Sequence, residues 1–347
     1  MARKILWGSL ALAPITLAAD YALGLGDTTL FVLAALALVP LAWLIGEATE
    51  QAAHHTGPGI GGFLNATFGN APELIISLLA IADGLTEVVR GSLSGSVVGN
   101  SLLVLGFSLL FGRGDQTIDR ESSTTWVALV VVATLVFLVP AVPSWHGDPE
   151  RHLLTVLSLP VAIALLLVYL GVTWWQLRQH RRRHERQESS DGVWSLQLAV
   201  GVLAAATVIT ALIAEVLVGT IETFAEQAHL SDFFVAAVIV AIVGNAAEHG
   251  GAVVVANRGN VKLAAEIALS SAAQVAVFLI PAVALLSWAI EPLALSFRAV
   301  ELAAVGGSAL VVGWLFWDRR SSNWHGAALI ALYAGVAAAF FFAGDRG

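Results

Sequence analysis

Long apolar stretches separated by short polar ones run through the whole chain. Eleven of them predict helices that cross a membrane, at roughly 5–24, 29–52, 60–83, 89–112, 124–143, 153–177, 194–220, 232–256, 262–288, 297–317 and 324–343. About 20 apolar residues span a bilayer as a helix. In lipid a helix satisfies its own backbone polar groups, so runs of this length predict spanning helices rather than a barrel. Gly, Pro, Asp and Asn fill most of the connections. The exception is 178–192, basic and then polar, which reads as a linker between two halves.

The halves repeat. Gly69-Asn70-Ala71-Pro72-Glu73 sits inside one apolar stretch and Gly244-Asn245-Ala246-Ala247-Glu248-His249 inside another. Glu73 and Glu248 are 175 residues apart, and the same offset carries Glu47 onto Glu222. With one residue less in a loop, Ser96 maps onto Ser270 and Asn100 onto Gln274. Each Ser then stands four residues before its amide, on one helix face. The predicted fold is an all-α integral membrane protein: one extra N-terminal helix (1–27), a five-helix repeat (28–177), the linker and a second five-helix repeat (193–347). Five is odd, so the second repeat enters the membrane inverted. Inverted repeats whose broken helices meet at the bilayer centre are an architecture of secondary transporters.

Composition agrees. The chain is 58% hydrophobic and 12% charged, where soluble domains carry about 25% charged residues. It has no cysteine, which excludes disulfides and thiolate metal sites. Basic residues follow the positive-inside rule. With the Arg181-Arg182-Arg183 run in the cytoplasm the N-terminus is cytoplasmic, and 13 of the 17 Lys and Arg fall on that side. Arg90, Arg151, Arg298 and Arg346 are the exceptions. The first apolar segment shows no convincing cleavage site and reads as a retained helix. The short start before it points to a prokaryotic plasma membrane.

Acids inside apolar spans are costly and mark function. Asn70, Glu73 and Ser77 share a helix face, and Asn245 with Glu248 repeats the pattern. Pro72 removes a backbone donor and Gly69 loosens the turn, which would turn carbonyls toward a cavity. The inventory is Glu73, Glu248, Asn70, Asn245, Ser96, Asn100, Ser270 and Gln274, nearly all oxygen donors. Such a set suits Ca²⁺, which takes 6–8 oxygens at about 2.3–2.6 Å. Softer metals would want Cys or several His. Two nearby carboxylates also resist being charged together. Ca²⁺ and protons therefore compete for one site, which is the requirement for antiport.

At these residues the chain resembles the cation/proton exchanger family, the Ca²⁺/H⁺ antiporters of the Ca²⁺:cation antiporter superfamily. The resemblance covers essentially the whole chain and is most specific at 46–81, 95–106, 214–227 and 244–249. It implies that Glu73 and Glu248 bind the ion and carry the protons, that Asn70 and Asn245 supply oxygens, and that His249 neighbours the site. It implies that Ser270 and Gln274 are the polar pair after the second motif, and that helices 2 and 7 move against a site-bearing core. It implies no cofactor and a monomer or homo-oligomer, with Ca²⁺, protons and the lipid bilayer as partners and no nucleic acid. Pro72 stands where the family usually has Thr and resembles the sodium/calcium exchanger branch. Na⁺-coupled Ca²⁺ exchange and Na⁺/H⁺ antiport are thus the alternatives, and a passive cation channel is a third. No enzyme motif is present.

Glu47, Glu50, Glu215, Glu222 and Glu226 lie nearer span ends, either as acids reaching water or as part of a gate or proton path. His54-His55 falls in a predicted loop. Trp145, Trp174, Trp175, Trp194, Trp288, Trp317 and Trp324 at span ends form an interfacial belt.

Overall fold

The computed structural model describes residues 2–113, 118–148, 151–181, 194–317 and 322–346. Among them all regular structure is helical. In chain order the helices are α1 (Ile5–Leu23), α2 (Asp27–Phe68), α3 (Ala71–Ala82), α4 (Thr86–Phe111), α5 (Arg120–Ser144), α6 (His152–Arg181), α7 (Leu196–Ala228), α8 (Asp232–Gly244), α9 (Ala246–Asn257), α10 (Val261–Ala289), α11 (Ala299–Leu315) and α12 (Asn323–Ala343). Eight are long and apolar enough to cross a membrane, or nine if α8 and α9, bent by 57°, form one span. The helices α3 and α11 are apolar but shorter.

Two boundaries differ from the sequence reading. The loop expected near 53–59, with His54 and His55, is helical, so α2 runs unbroken for 42 residues. Gly57-Pro58-Gly59 looks like a break locally. Nearby, however, Gln51 accepts a hydrogen bond from the Trp194 N–H (2.9 Å), and the His55 imidazole bonds the Trp194 carbonyl (2.7 Å). These residues, four apart on one face of α2, clamp the chain entering α7. The second difference is that α6 continues through Arg181, so the expected linker begins as helix. Its remainder, including Arg182 and Arg183, lies outside the described residues.

The helices α2 and α7 pack along each other, with Phe31 stacked on Phe224 at 4.1 Å between ring centres. The short helices cross over: α3 packs on α7, and α9 packs on α2. The helices α4 and α10 form the centre, and α1 and α12 are the least buried. Small residues allow the tightest approach, as they do between membrane helices. A Cβ on Gly95 of α4 would lie 2.7 Å from the carbonyl carbon of Ala237 on α8, and one on Gly91 would lie 2.8 Å from the Phe233 carbonyl oxygen. Both α4 and α10 contain a π-helical segment at matching places, Gly99–Val104 and Val275–Leu279. Such widened turns are frequent at functional sites. Trp145, Trp174, Trp175, Trp288, Trp317 and Trp324 are exposed on the outside of the bundle, as an interfacial belt requires.

Candidate functional site

Both motifs fold the same way. Asn70 and Asn245 each precede a twelve-residue helix, and each sits in the sparsely allowed bridge region, at φ −101°, ψ 15° and φ −87°, ψ 8°. Glu73 and Glu248 are the third residues of those helices. A helix start carries partial positive charge and favours a carboxylate there. Pro72 takes the second helical position, where its missing N–H would have had no intrahelical partner. It therefore starts α3 rather than breaking it, contrary to the sequence expectation; the break lies at Gly69 and Asn70.

The two starts meet. Gly244, at the end of α8, lies against the Glu73 side chain: a Cβ there would be 3.1 Å from Glu73 Oε1 and 3.2 Å from its carboxyl carbon. Glu73 is 5% exposed, and its Oε2 is buried without a hydrogen-bond partner. Glu248 follows Gly244 by four residues, in the first turn of α9. One turn beyond Glu73, the buried Ser77 hydroxyl also lacks a partner. Burying a charged carboxylate costs several kcal/mol, a cost that a cation or a proton relieves.

A network of neutral groups is built on Asn245. Asn245 Nδ2 donates to Ser96 Oγ (2.8 Å) and to the Ala241 carbonyl (2.8 Å), while its Oδ1 accepts from Asn100 Nδ2 (3.0 Å). All three side chains are buried, and Asn100 Oδ1 retains an unused acceptor. The close approach of α4 to α8 at Gly95 puts Ser96 and Asn100 within reach of Asn245. From α10 the Ser271 hydroxyl donates to Glu248 Oε2. His249 Nε2 is buried without a partner.

The candidates divide accordingly. Asn245, Ser96 and Asn100 are joined by hydrogen bonds, Glu73 lies against Gly244, the residue before Asn245, and Glu248 with its neighbour His249 follows in the first turn of α9. Asn70 is buried at the start of α3. Ser270 gives its hydroxyl to the Ile267 carbonyl of its own helix (3.1 Å), so its neighbour Ser271 is the one that reaches Glu248. The signal was available: the offset of 175 that pairs the glutamates carries Ser96 directly onto Ser271. Gln274 is half-buried where the π-helical turn of α10 begins. Glu47 is half-buried within α2, while Glu50, Glu215, Glu222 and Glu226 are exposed on α2 and α7. Among the described residues no group of three or more His, Cys, Asp or Glu is poised to hold a metal.

Long apolar helices, two of them broken at repeated Gly-Asn motifs that each start a helix with a glutamate in its first turn, mark a membrane transporter. Its relatives specify which kind. The family profile described as "Sodium/calcium exchanger protein" matches residues 27–178 and 198–342. The chain is 37% identical to a protein named Ca(2+)/H(+) antiporter from Synechocystis sp., over 98% of this chain and 97% of that one. It is 38% identical to Ca(2+)/H(+) antiporter ChaA of Bacillus subtilis, over 91% and 92%. The solved structure titled "Structure of native YfkE" superposes with a TM-score of 0.84 at 33% identity, over 97% of this chain and 99% of that one. The chain belongs to the sodium/calcium exchanger family, and within it to the cation/proton exchangers that its glutamate motifs resemble. It is a secondary transporter and not an enzyme.

Proposed function

We propose that this protein is a Ca²⁺/H⁺ antiporter that exports cytoplasmic Ca²⁺ in exchange for entering protons. The observation that carries the reading is the buried meeting of Glu73 with the Gly244–Glu248 turn, where a carboxylate oxygen has no partner. In a low-dielectric interior an empty pair of charged carboxylates is strongly disfavoured. Ca²⁺ neutralises the pair with its own charge, and two protons do so by titrating it. Either loaded form crosses; the bare form does not. Coupling follows from that exclusion. Ser96, Asn100, Asn245, Ser271 and Gln274 would complete the oxygen shell around the ion, with Asn70 on the α3 side.

In this reading the eleven-span order applies, with the N-terminus cytoplasmic and both motifs near the bilayer centre. The eight long helices, the bent pair α8–α9 and the shorter α3 and α11 support it. The plasma membrane of a prokaryote is the expected location. The relatives named as Ca²⁺/H⁺ antiporters support the choice of ions.

The test is ⁴⁵Ca²⁺ uptake into sodium-free, inside-out vesicles started by an acid-inside pH jump. Wild type takes up Ca²⁺ only with the pH gradient, and Glu73→Gln and Glu248→Gln abolish uptake in a folded protein. Uptake that waits for sodium inside the vesicles would assign Na⁺ coupling, the alternative raised by Pro72. Wild-type uptake in both variants would sink the two-glutamate site.

A further inference from the structure

Four basic residues depart from the inward bias of the sequence, and the structure gathers three of them at one place. Arg90 comes from α4, Arg298 precedes α11 and Arg346 follows α12. They surround Glu87 and Glu301. Glu87 Oε1 lies 3.4 Å from both Arg90 Nη2 and Arg346 Nε, and its Oε2 lies 3.9 Å from Arg298 Nη2. Glu301 Oε2 lies 3.3 Å from Arg298 Nε and 3.6 Å from Arg346 Nη2. Arg90 is 1% exposed and also donates to the Ala294 carbonyl (3.3 Å) and to Ser296 Oγ (3.2 Å). Arg346 donates to the Ser296 hydroxyl (3.4 Å) and, closely, to its carbonyl.

The segment 344–346 is fastened at every residue. Arg298 Nη1 donates to the Gly344 carbonyl (2.6 Å). Asp345 accepts from the backbone N–H of Phe233 (2.9 Å) and of Asp232 (3.2 Å), and so caps the start of α8 from more than 100 residues away. The Arg298 guanidinium lies over the Phe233 ring at 3.8 Å, and Phe340 meets the same ring edge-on at 5.2 Å. Buried ion pairs gain little net stability, because desolvation offsets their attraction. Their best-attested use is to fix one arrangement of the parts they join. Here the parts are α4, α8 and α11. The first of these carries Ser96 and Asn100 at its middle, and the second ends at Gly244, next to Asn245.

We propose that residues 344–346, with Arg298, are a positioning clasp: they hold the ends of α4, α8 and α11 as one rigid unit, so that the Ser96–Asn245–Asn100 hydrogen bonds keep their lengths while the site changes occupant. The proposal rests on the exchange reading above. No residue of the clasp touches the ion. Asp345 acts through α8, and Arg346 acts through Glu87 on α4 and Glu301 on α11.

The chain has no native cysteine, so Asp232→Cys/Asp345→Cys introduces the only thiols. Reduced, this protein has lost the cap and exchanges Ca²⁺ with a KM raised several-fold. Oxidation of the same sample restores the wild-type KM and rate, a reversal that a folding defect would not show. An unchanged KM in the reduced protein overturns the proposal. So does an oxidised protein that stops exchanging, because the segment would then have to open during the cycle. Arg346→Ala gives the same KM shift by a route remote from α8, and Arg346→Lys recovers part of it; equal KM values for Arg346→Ala and wild type count against the clasp. Disulfide yield, read by thiol alkylation, needs no transport and is expected to be the same with and without Ca²⁺. A yield that changes with Ca²⁺ defeats the clasp, whereas wild type that moves no Ca²⁺ defeats only the exchange reading.

Discussion

Gly95→Ala is the sharpest test of how the fold builds the site. The new methyl would lie 2.7 Å from the carbonyl carbon of Ala237 and 2.8 Å from its Cα. These are backbone atoms, so no side chain can swing away. Ordinary contact begins near 3.4 Å, so α4 and α8 must part by at least about 0.7 Å. Ser96 is the next residue, and its hydrogen bond to Asn245 is 2.8 Å long; that from Asn100 is 3.0 Å. Both stretch to about 3.5 Å or beyond, where a hydrogen bond is lost. Overpacking costs about 1–3 kcal/mol, and each lost bond about 0.5–1.5 kcal/mol. The total is about 2–6 kcal/mol. If only ~1.4 kcal/mol of it falls on the competent state, exchange slows about tenfold. Gly99→Ala, one turn along the same helix, meets nothing within 4 Å and serves as the control. The readouts are thermal unfolding in detergent and ⁴⁵Ca²⁺ uptake in the pH-jump assay. Gly95→Ala with wild-type uptake and melting, or Gly99→Ala impaired as much as Gly95→Ala, would refute the reasoning.

Two further outcomes are expected. Ser271→Ala removes the hydroxyl that donates to Glu248; a hydrogen bond to a charged group contributes about 1.5–3 kcal/mol, so exchange falls about tenfold or more, while Ser270→Ala stays within about twofold. The opposite ranking in uptake assays would show that Ser270 is the partner. Asp119, in the loop before α5, is hydrogen-bonded by Lys262 (2.7 Å) and by the Ser122 N–H, and these hold its carboxyl below the usual value of 3.8. Its contribution to stability is therefore present above that value and is lost as pH falls through the lower folded one. The pair is largely solvated and contributes at most about 1 kcal/mol. Asp119→Asn lowers the unfolding temperature slightly at neutral pH and not at all once the pH is below the folded titration of Asp119; an equal decrease at both pH values would contradict the assignment.

The sequence alone determined what depends on burial and local chemistry. Apolar stretches of span length can hide their backbones in lipid only as helices, so membrane class and helical architecture were legible from hydropathy. Glu73 and Glu248 were legible because an acid inside an apolar run is costly wherever the run folds, and their duplication marked them as a pair. Contacts between distant parts of the chain decided the rest. Nothing near Gly57-Pro58-Gly59 reveals that Gln51 and His55 will grip Trp194 and that α2 stays continuous. Ser270 and Ser271 have the same chemistry, and the repeat reaches either one depending on whether a loop residue is dropped; the rotation of α10 against α9 selects Ser271 to meet Glu248. Arg90, Arg298 and Arg346 looked like scattered exceptions to a charge bias: Glu87 and Glu301 stand three residues from Arg90 and Arg298, but only the fold brings Arg298 and Arg346 to Glu87 and Arg346 to Glu301. Hydrophobicity and backbone satisfaction act on neighbours along the chain and can be read there. Hydrogen bonds, ion pairs and glycine contacts between helices join groups tens to hundreds of residues apart, and only the packed bundle brings those groups within reach.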